Sequence, residues 1–360
     1  MAVPDRAAPS SPATIHIGDR AVGPGQPVYV IAELSANHGH DLATARAIVE
    51  AAAAAGADAV KLQTYTADTM TIDSDGPPFR IGEGTLWAGR SLYELYEEAA
   101  TPWAWHAELQ AQAAELGLDL FSTPFDATAV EFLEDLGTPA MKIASFELVD
   151  LELIRAAART GQPLILSTGM ATEAEIDDAV TTATDAGATG IVLLRCNSSY
   201  PAPVAEMDLR TIPAMVERWG VPVGFSDHTL GTTAATVAVT LGACVIEKHL
   251  TLRRADGGPD AAFSLEPDEF AAMVAAVRDA EASLGGVRLG PSEHERHSLA
   301  FRRSLFVVAD VAAGETLTRA NVRAIRPGDG LAPRHLADVL GRVAAAPIER
   351  GTPLRWDLLA

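Results

Sequence analysis

Eight short apolar runs alternate with alanine-rich stretches from about residue 28 onward, and this alternation constrains the fold of the 360-residue chain more than any other feature. The runs are VYVIAEL (28–34), AVKLQ (59–63), LDLFST (118–123), AMKIAS (140–145), PLILST (163–168), GIVLLRC (190–196), VPVGFS (221–226) and ACVIEKH (243–249). Most are continuously apolar, as parallel strands buried on both faces should be. Between them lie helical stretches such as ATARAIVEAAAAAG and TEAEIDDAVTTATDAG, several ending in Gly, and Thr172 with Glu175 reads as a capping box. Eight strand–helix units over about 260 residues match an α/β fold of the (β/α)8 TIM-barrel type. A doubly wound open sheet is the competing arrangement, but eight units is the number that closes.

The barrel domain is expected over 1–285, with residues 1–14 disordered. A polar linker over 286–300 and a compact module of short strands over 301–360 should follow. The segment 64–101 is longer than an ordinary strand–helix loop, and such loops are usually active-site elements. Cys196 and Cys244 sit within apolar runs, which suits buried thiols in a reducing compartment. There is no signal-peptide apolar region and no apolar run approaching 18 residues, so a soluble cytoplasmic protein is expected.

The chain carries 27 basic and 48 acidic residues, a net charge of −21. That balance argues against nucleic acid or anionic membrane as a partner. Of the 27 basic residues only Lys61, Lys142 and Lys248 are lysines. Base-composition bias is the bland explanation. Yet all three fall on barrel strands, although 24 arginines were free to serve the surface. Lys248 lies between Glu247 and His249, so strand alternation turns it to the other side if those two face inward.

In a (β/α)8 barrel the active site lies at the C-terminal strand ends. The polar residues there are Glu33, Asn37 and His38, then Lys61 and Gln63, Ser122 and Thr123, Lys142 and Ser145, and Ser167 and Thr168. The remaining strands supply Asn197, Ser198 and Tyr200, then Ser226, Asp227 and His228, then Glu247 and His249. His228 and His249 end neighbouring strands and could share one divalent ion acting as a Lewis acid. Two lysines among many small hydroxyls describe a pocket for a phosphorylated or carboxylated small molecule. A Schiff-base aldolase would also want a barrel lysine. It would need neither the second lysine nor the histidine pair. A non-catalytic carbohydrate-binding protein is the remaining alternative, and the crowding of reactive groups at the strand ends disfavours it.

The blocks IAELSANH, DAVKLQTYTADTMT, FSTPFD, KIASFEL, ILSTGM, SSYPAP, GFSDHTLG, VIEKHLT and GGPDAAFSLEP, in this order, resemble the sialic acid synthase family. The block RRSLFVVADVAAGE with IRPGDG resembles that family's antifreeze-like (SAF) domain, a β-clip-type fold. Within the family, ELSANH, LQTYTADTMT and the SFEL and FSLEP blocks are nearest the pseudaminic acid synthase branch, with N-acetylneuraminate and legionaminate synthases as alternatives. The resemblance implies condensation of phosphoenolpyruvate with an N-acetylated amino sugar, with a divalent cation, Mn²⁺ ahead of Mg²⁺ or Co²⁺. It implies catalytic roles for Glu33, Lys61, Lys142, Glu247 and Asp260. It implies substrate contacts from Asn37, Gln63, Thr123, Ser145, Ser167, Ser198, Tyr200 and Ser226, and metal ligation by His228 and His249. Arg326 corresponds to an arginine delivered into the partner's barrel in a domain-swapped homodimer. Relatives of the N-acetylneuraminate branch carry Asn where this chain has Ser198 after Asn197, so either residue could make that contact.

Overall fold

The computed structural model describes residues 12–360. The expected disordered stretch lies, through residue 11, outside the described residues; 12–14 lead directly into a strand. Two compact units divide the chain, the first ending at Gly285 and the second starting at Gly286.

The first unit opens with a hairpin of β1 (Ile15–Ile17) and β2 (Arg20–Val22). Eight parallel strands follow: β3 (Tyr29–Glu33), β4 (Ala59–Thr64), β5 (Asp119–Pro124), β6 (Met141–Ile143), β7 (Leu164–Ser167), β8 (Ile191–Cys196), β9 (Val223–Asp227) and β10 (Val245–His249). They pair in chain order, and β10 returns to β3 to close the barrel. Every expected strand is present, and helices follow as the capping signals require. Asp41 and Asp126 accept from backbone amides of the first turns of helices Leu42–Ala54 and Ala127–Leu136. Thr172 and Glu175 form their capping box, and that helix ends at Gly187 with φ +101°.

Alternation splits each strand between two environments. Val30, Ala32, Val60, Leu62, Leu164, Leu166 and Phe225 pack outward against the helices. Tyr29, Ile31, Ala59, Phe121, Ile165, Val192 and Val245 pack inward, together with Ile15, Ile17 and Val22 of the hairpin. The hairpin therefore plugs the N-terminal pole. Its fit is close: a Cβ on Gly190 would lie 2.8 Å from an Ile15 methyl carbon. No helix among the described residues is long and apolar enough to cross a membrane.

In the second unit, residues 296–301 form a 3-10 turn across the end of the stretch expected as linker. Antiparallel β11 (Ser304–Val307) and β12 (Val322–Ile325) follow, with isolated bridges such as Val311 to Ile348 and Thr316 to Val343. Leu305, Val307, Val311, Leu317, Val322 and Leu354 make its core.

Candidate active site

The inward positions nearest the C-terminal strand ends are polar, and most are buried. Lys61 Nζ lies 2.5 Å from Glu33 Oε2 and 3.1 Å from Glu247 Oε2. Glu247 Oε1 accepts from Ser226 Oγ at 2.9 Å, and Lys61 reaches Thr123 Oγ1 at 3.5 Å. Glu33 Oε1 also accepts from the Ser35 amide. Four strands thus converge on one ammonium. Burial acts to lower the Lys61 pKa, but Glu247 and Glu33 hold it above the ordinary lysine value. Burial pushes Glu33 up to about 7, opposed by Lys61 and assisted by Glu247. Burial also acts against the Glu247 charge, but Lys61 and Lys142 together hold Glu247 below the usual carboxylate range.

Lys142, on β6, is 1% exposed and stands apart from this cluster. Its ammonium donates to Ser167 Oγ at 2.6 Å and to the Ile143 carbonyl at 2.9 Å. Among the described residues no carboxylate lies at ion-pair distance from it. Burial draws its pKa down to about 8. Its polar partners are a hydroxyl and a carbonyl. Beside it, Ser145 Oγ lies 3.1 Å from Cys196 Sγ, and the Ser198 hydroxyl is buried without a hydrogen-bond partner. Gly169 makes room for all three: a Cβ there would come within 3 Å of each.

His228 and His249 face each other with ring centroids 5.5 Å apart. Burial lowers the pKa of both, so both are neutral imidazoles near pH 7. His228 Nδ1 donates to the Asn197 carbonyl at 2.8 Å, which leaves its Nε2 lone pair unused. His249 Nδ1 is buried with no hydrogen-bond partner. A divalent ion would satisfy both orphaned nitrogens, so the residues fit such a group. Among the described residues no cluster of three or more His, Cys, Asp or Glu side chains could hold it without further donors.

Around the mouth, the Tyr200 ring lies 4.5 Å from that of His228 and 5.0 Å from that of Phe263. Asp260 accepts from the Ser35 hydroxyl, and burial raises its pKa. Trp87, from the long 64–101 segment, donates to the Pro259 carbonyl at 2.9 Å and packs 5.9 Å from Tyr200. Gln63 is partly exposed and pairs in register with Thr123. Asn37 spends its amide donors on Leu250 O and Ser264 Oγ, so only its buried, unpartnered Oδ1 is free for a ligand. Arg326 is exposed on the second unit, just past β12.

Several strand-end groups turn away from the interior. Ser122 bonds Thr64 at 2.6 Å, and Thr168 donates to Leu194 O, so neither hydroxyl faces the pocket. His38, counted among the strand-end polar residues, is fully buried against Thr101. Lys248 points outward, 2.8 Å from Asp227. One inward group carries no sequence signal: Glu147, in the turn after β6, has a buried, unpartnered Oε2, and burial raises its pKa to about 7. Its field reaches Lys142. It sits in an irregular turn, where neither the strand nor the helix period marks the facing side.

The NeuB family model matches residues 48–288, and the SAF domain model matches residues 302–360. The chain is 45% identical over 334 residues to the pseudaminic acid synthase of Helicobacter pylori, covering 92% of this chain and 98% of that relative. It is 43% identical over 328 residues to the pseudaminic acid synthase of Campylobacter jejuni, covering 91% and 95%. Among solved structures, the N-acetylneuraminic acid synthetase of Leptospira borgpetersenii, crystallised with citrate, matches with TM-score 0.71 at 30% identity over 80% of this chain and 95% of that one. A closed eight-stranded barrel with two buried lysines at its strand ends, matched over most of its length by this family, makes the chain a member of the NeuB family that ends in an SAF domain.

Proposed function

We propose that the chain synthesises pseudaminic acid from phosphoenolpyruvate, 2,4-diacetamido-2,4,6-trideoxy-L-altrose and water, releasing phosphate. The observation that carries this reading is Lys142, a buried ammonium that donates to the Ser167 hydroxyl and has, among the described residues, no carboxylate at ion-pair distance. Identity of 45% and 43% to pseudaminic acid synthases, against 30% to an N-acetylneuraminic acid synthetase, favours the altrose acceptor over the alternatives.

In this reading C3 of phosphoenolpyruvate attacks the aldehyde carbon of the open-chain sugar and forms the new carbon–carbon bond. The aldehyde oxygen takes up a proton. Water adds at C2, the C2–O bond to phosphate breaks, and the ketone remains at C2. Lys142 and Lys61, with Thr123, Ser145, Ser167 and Ser226, would hold the phosphate and carboxylate and keep C3 near the carbonyl. Glu33, with its pKa near 7, can both give and take a proton at neutral pH. Glu247 stays ionised, balances the lysines and orients Ser226. Asp260, Tyr200, Gln63, Asn37 and Ser198 would line the sugar side. A divalent ion at His228 and His249, Mn²⁺ first, would supply Lewis-acid polarisation of the aldehyde oxygen.

The working form is a homodimer in which Arg326 enters the partner's barrel. Charge supports it: residues 286–360 carry eleven arginines against eight acids, so the whole acidic surplus lies in the first 285 residues. Purified protein given phosphoenolpyruvate and a panel of altrose-, mannose- and legionaminic-type precursors should release phosphate fastest with the altrose compound. Faster turnover of either other sugar overturns the assignment.

A further inference from the structure

The third lysine is unused by this mechanism, yet its surroundings are as specific as those of the other two. Lys248 and Asp227 are register partners on β10 and β9, both on the helix side of the barrel, and both side chains are completely buried. The ammonium lies 2.8 Å from Asp227 Oδ2, and its aligned hydrogen bond goes to the Thr229 carbonyl. Asp227 Oδ1 accepts from the Thr229 amide at 2.8 Å. The pair therefore grips both backbone groups of the residue that follows His228.

Its neighbours in sequence are the inward groups of the site. Ser226 and His228 flank Asp227, and Glu247 and His249 flank Lys248. Most outward positions of the barrel are filled by groups such as Leu62, Leu166 and Leu193, so an apolar pair would suit the packing here. A buried ion pair adds little net stability over such a pair, but it is directional. Here its direction ties the end of β9 to β10, where the two imidazoles stand 5.5 Å apart. We infer that Lys248 and Asp227 form a positioning pair that sets the separation and orientation of His228 and His249 for a divalent ion. This rests on the reading of those histidines as ion ligands.

The test uses the full chain and the double variant Lys248→Met, Asp227→Asn, which removes both buried charges and keeps an acceptor for the Thr229 amide. Either single change strands a buried charge and can fail to fold; the double change avoids that. Free Mn²⁺ is followed by electron paramagnetic resonance during titration, alongside the thermal midpoint and the KM for phosphoenolpyruvate. The double variant should keep its midpoint and that KM while Mn²⁺ affinity falls about 10- to 100-fold, as for groups that orient metal ligands. Unchanged Mn²⁺ affinity in a folded double variant overturns the positioning role alone. A wild-type chain that binds no Mn²⁺ overturns the ligand reading and this inference with it. Parallel losses of midpoint, KM and Mn²⁺ affinity would mark a merely structural pair and also overturn it.

Discussion

Lys142 on β6 donates to the hydroxyl of Ser167 on β7 at 2.6 Å, with no carboxylate among the described residues at ion-pair distance. Its charge is therefore available to a bound anion. Lys142→Met should cost about 100-fold or more in kcat/KM, the size of one lost electrostatic contact of about 2.7–4 kcal/mol. Steady-state kinetics decide it; turnover near the wild-type value removes Lys142 from the site.

In the proposed reaction the same lysine should give phosphoenolpyruvate binding a pH dependence. Its pKa sits near 8 in the free protein, and an anion beside the ammonium raises it. Binding should weaken as pH rises past about 8, approaching tenfold per unit, as proton linkage requires. Calorimetric titration between pH 7 and 9.5 checks this, and a flat profile contradicts it.

Glu33 offers the opposite case. Its folded pKa, about 7, lies above the ordinary 4.5, so folding favours its protonated form. That contribution to stability is complete below about 4.5 and is lost as pH rises through about 7. Glu33→Gln should therefore lessen the fall in thermal midpoint across this window. It should also lower kcat by about 100- to 10,000-fold, the range for a lost general acid or base.

Chelation tests the histidine pair. EDTA should abolish phosphate release, and Mn²⁺ should restore it in the wild-type chain but not in His249→Ala. Full activity in metal-free protein would sink the assignment.

Arg326 is tested by mixing. Lys142→Met and Arg326→Ala chains, each inactive alone, should regain activity when unfolded and refolded together, because a mixed dimer holds one intact site. Activity that never returns means that the arginine does not act across subunits.

Much of this was legible in the sequence because strands obey a period of two. Once Glu247 and His249 are taken as inward, Lys248 must point outward, and it does. The same rule sends Ser122 and Thr168 to the helix side, although a roll of strand-end hydroxyls includes them. Loops have no such period, which is why Glu147 and the burial of His38 do not announce themselves. The hairpin at 15–22 is equally silent. Its strands have three residues each, too few to show alternation, and their partners in the barrel floor are distant in sequence.

That hairpin makes the barrel a vessel with one door. Ile15, Ile17 and Val22 stopper the pole opposite the lysines, and the packed side chains above them leave no passage through the middle. In the proposed reaction two reactants and water must come in, and two products must go out, through the same ring of loops.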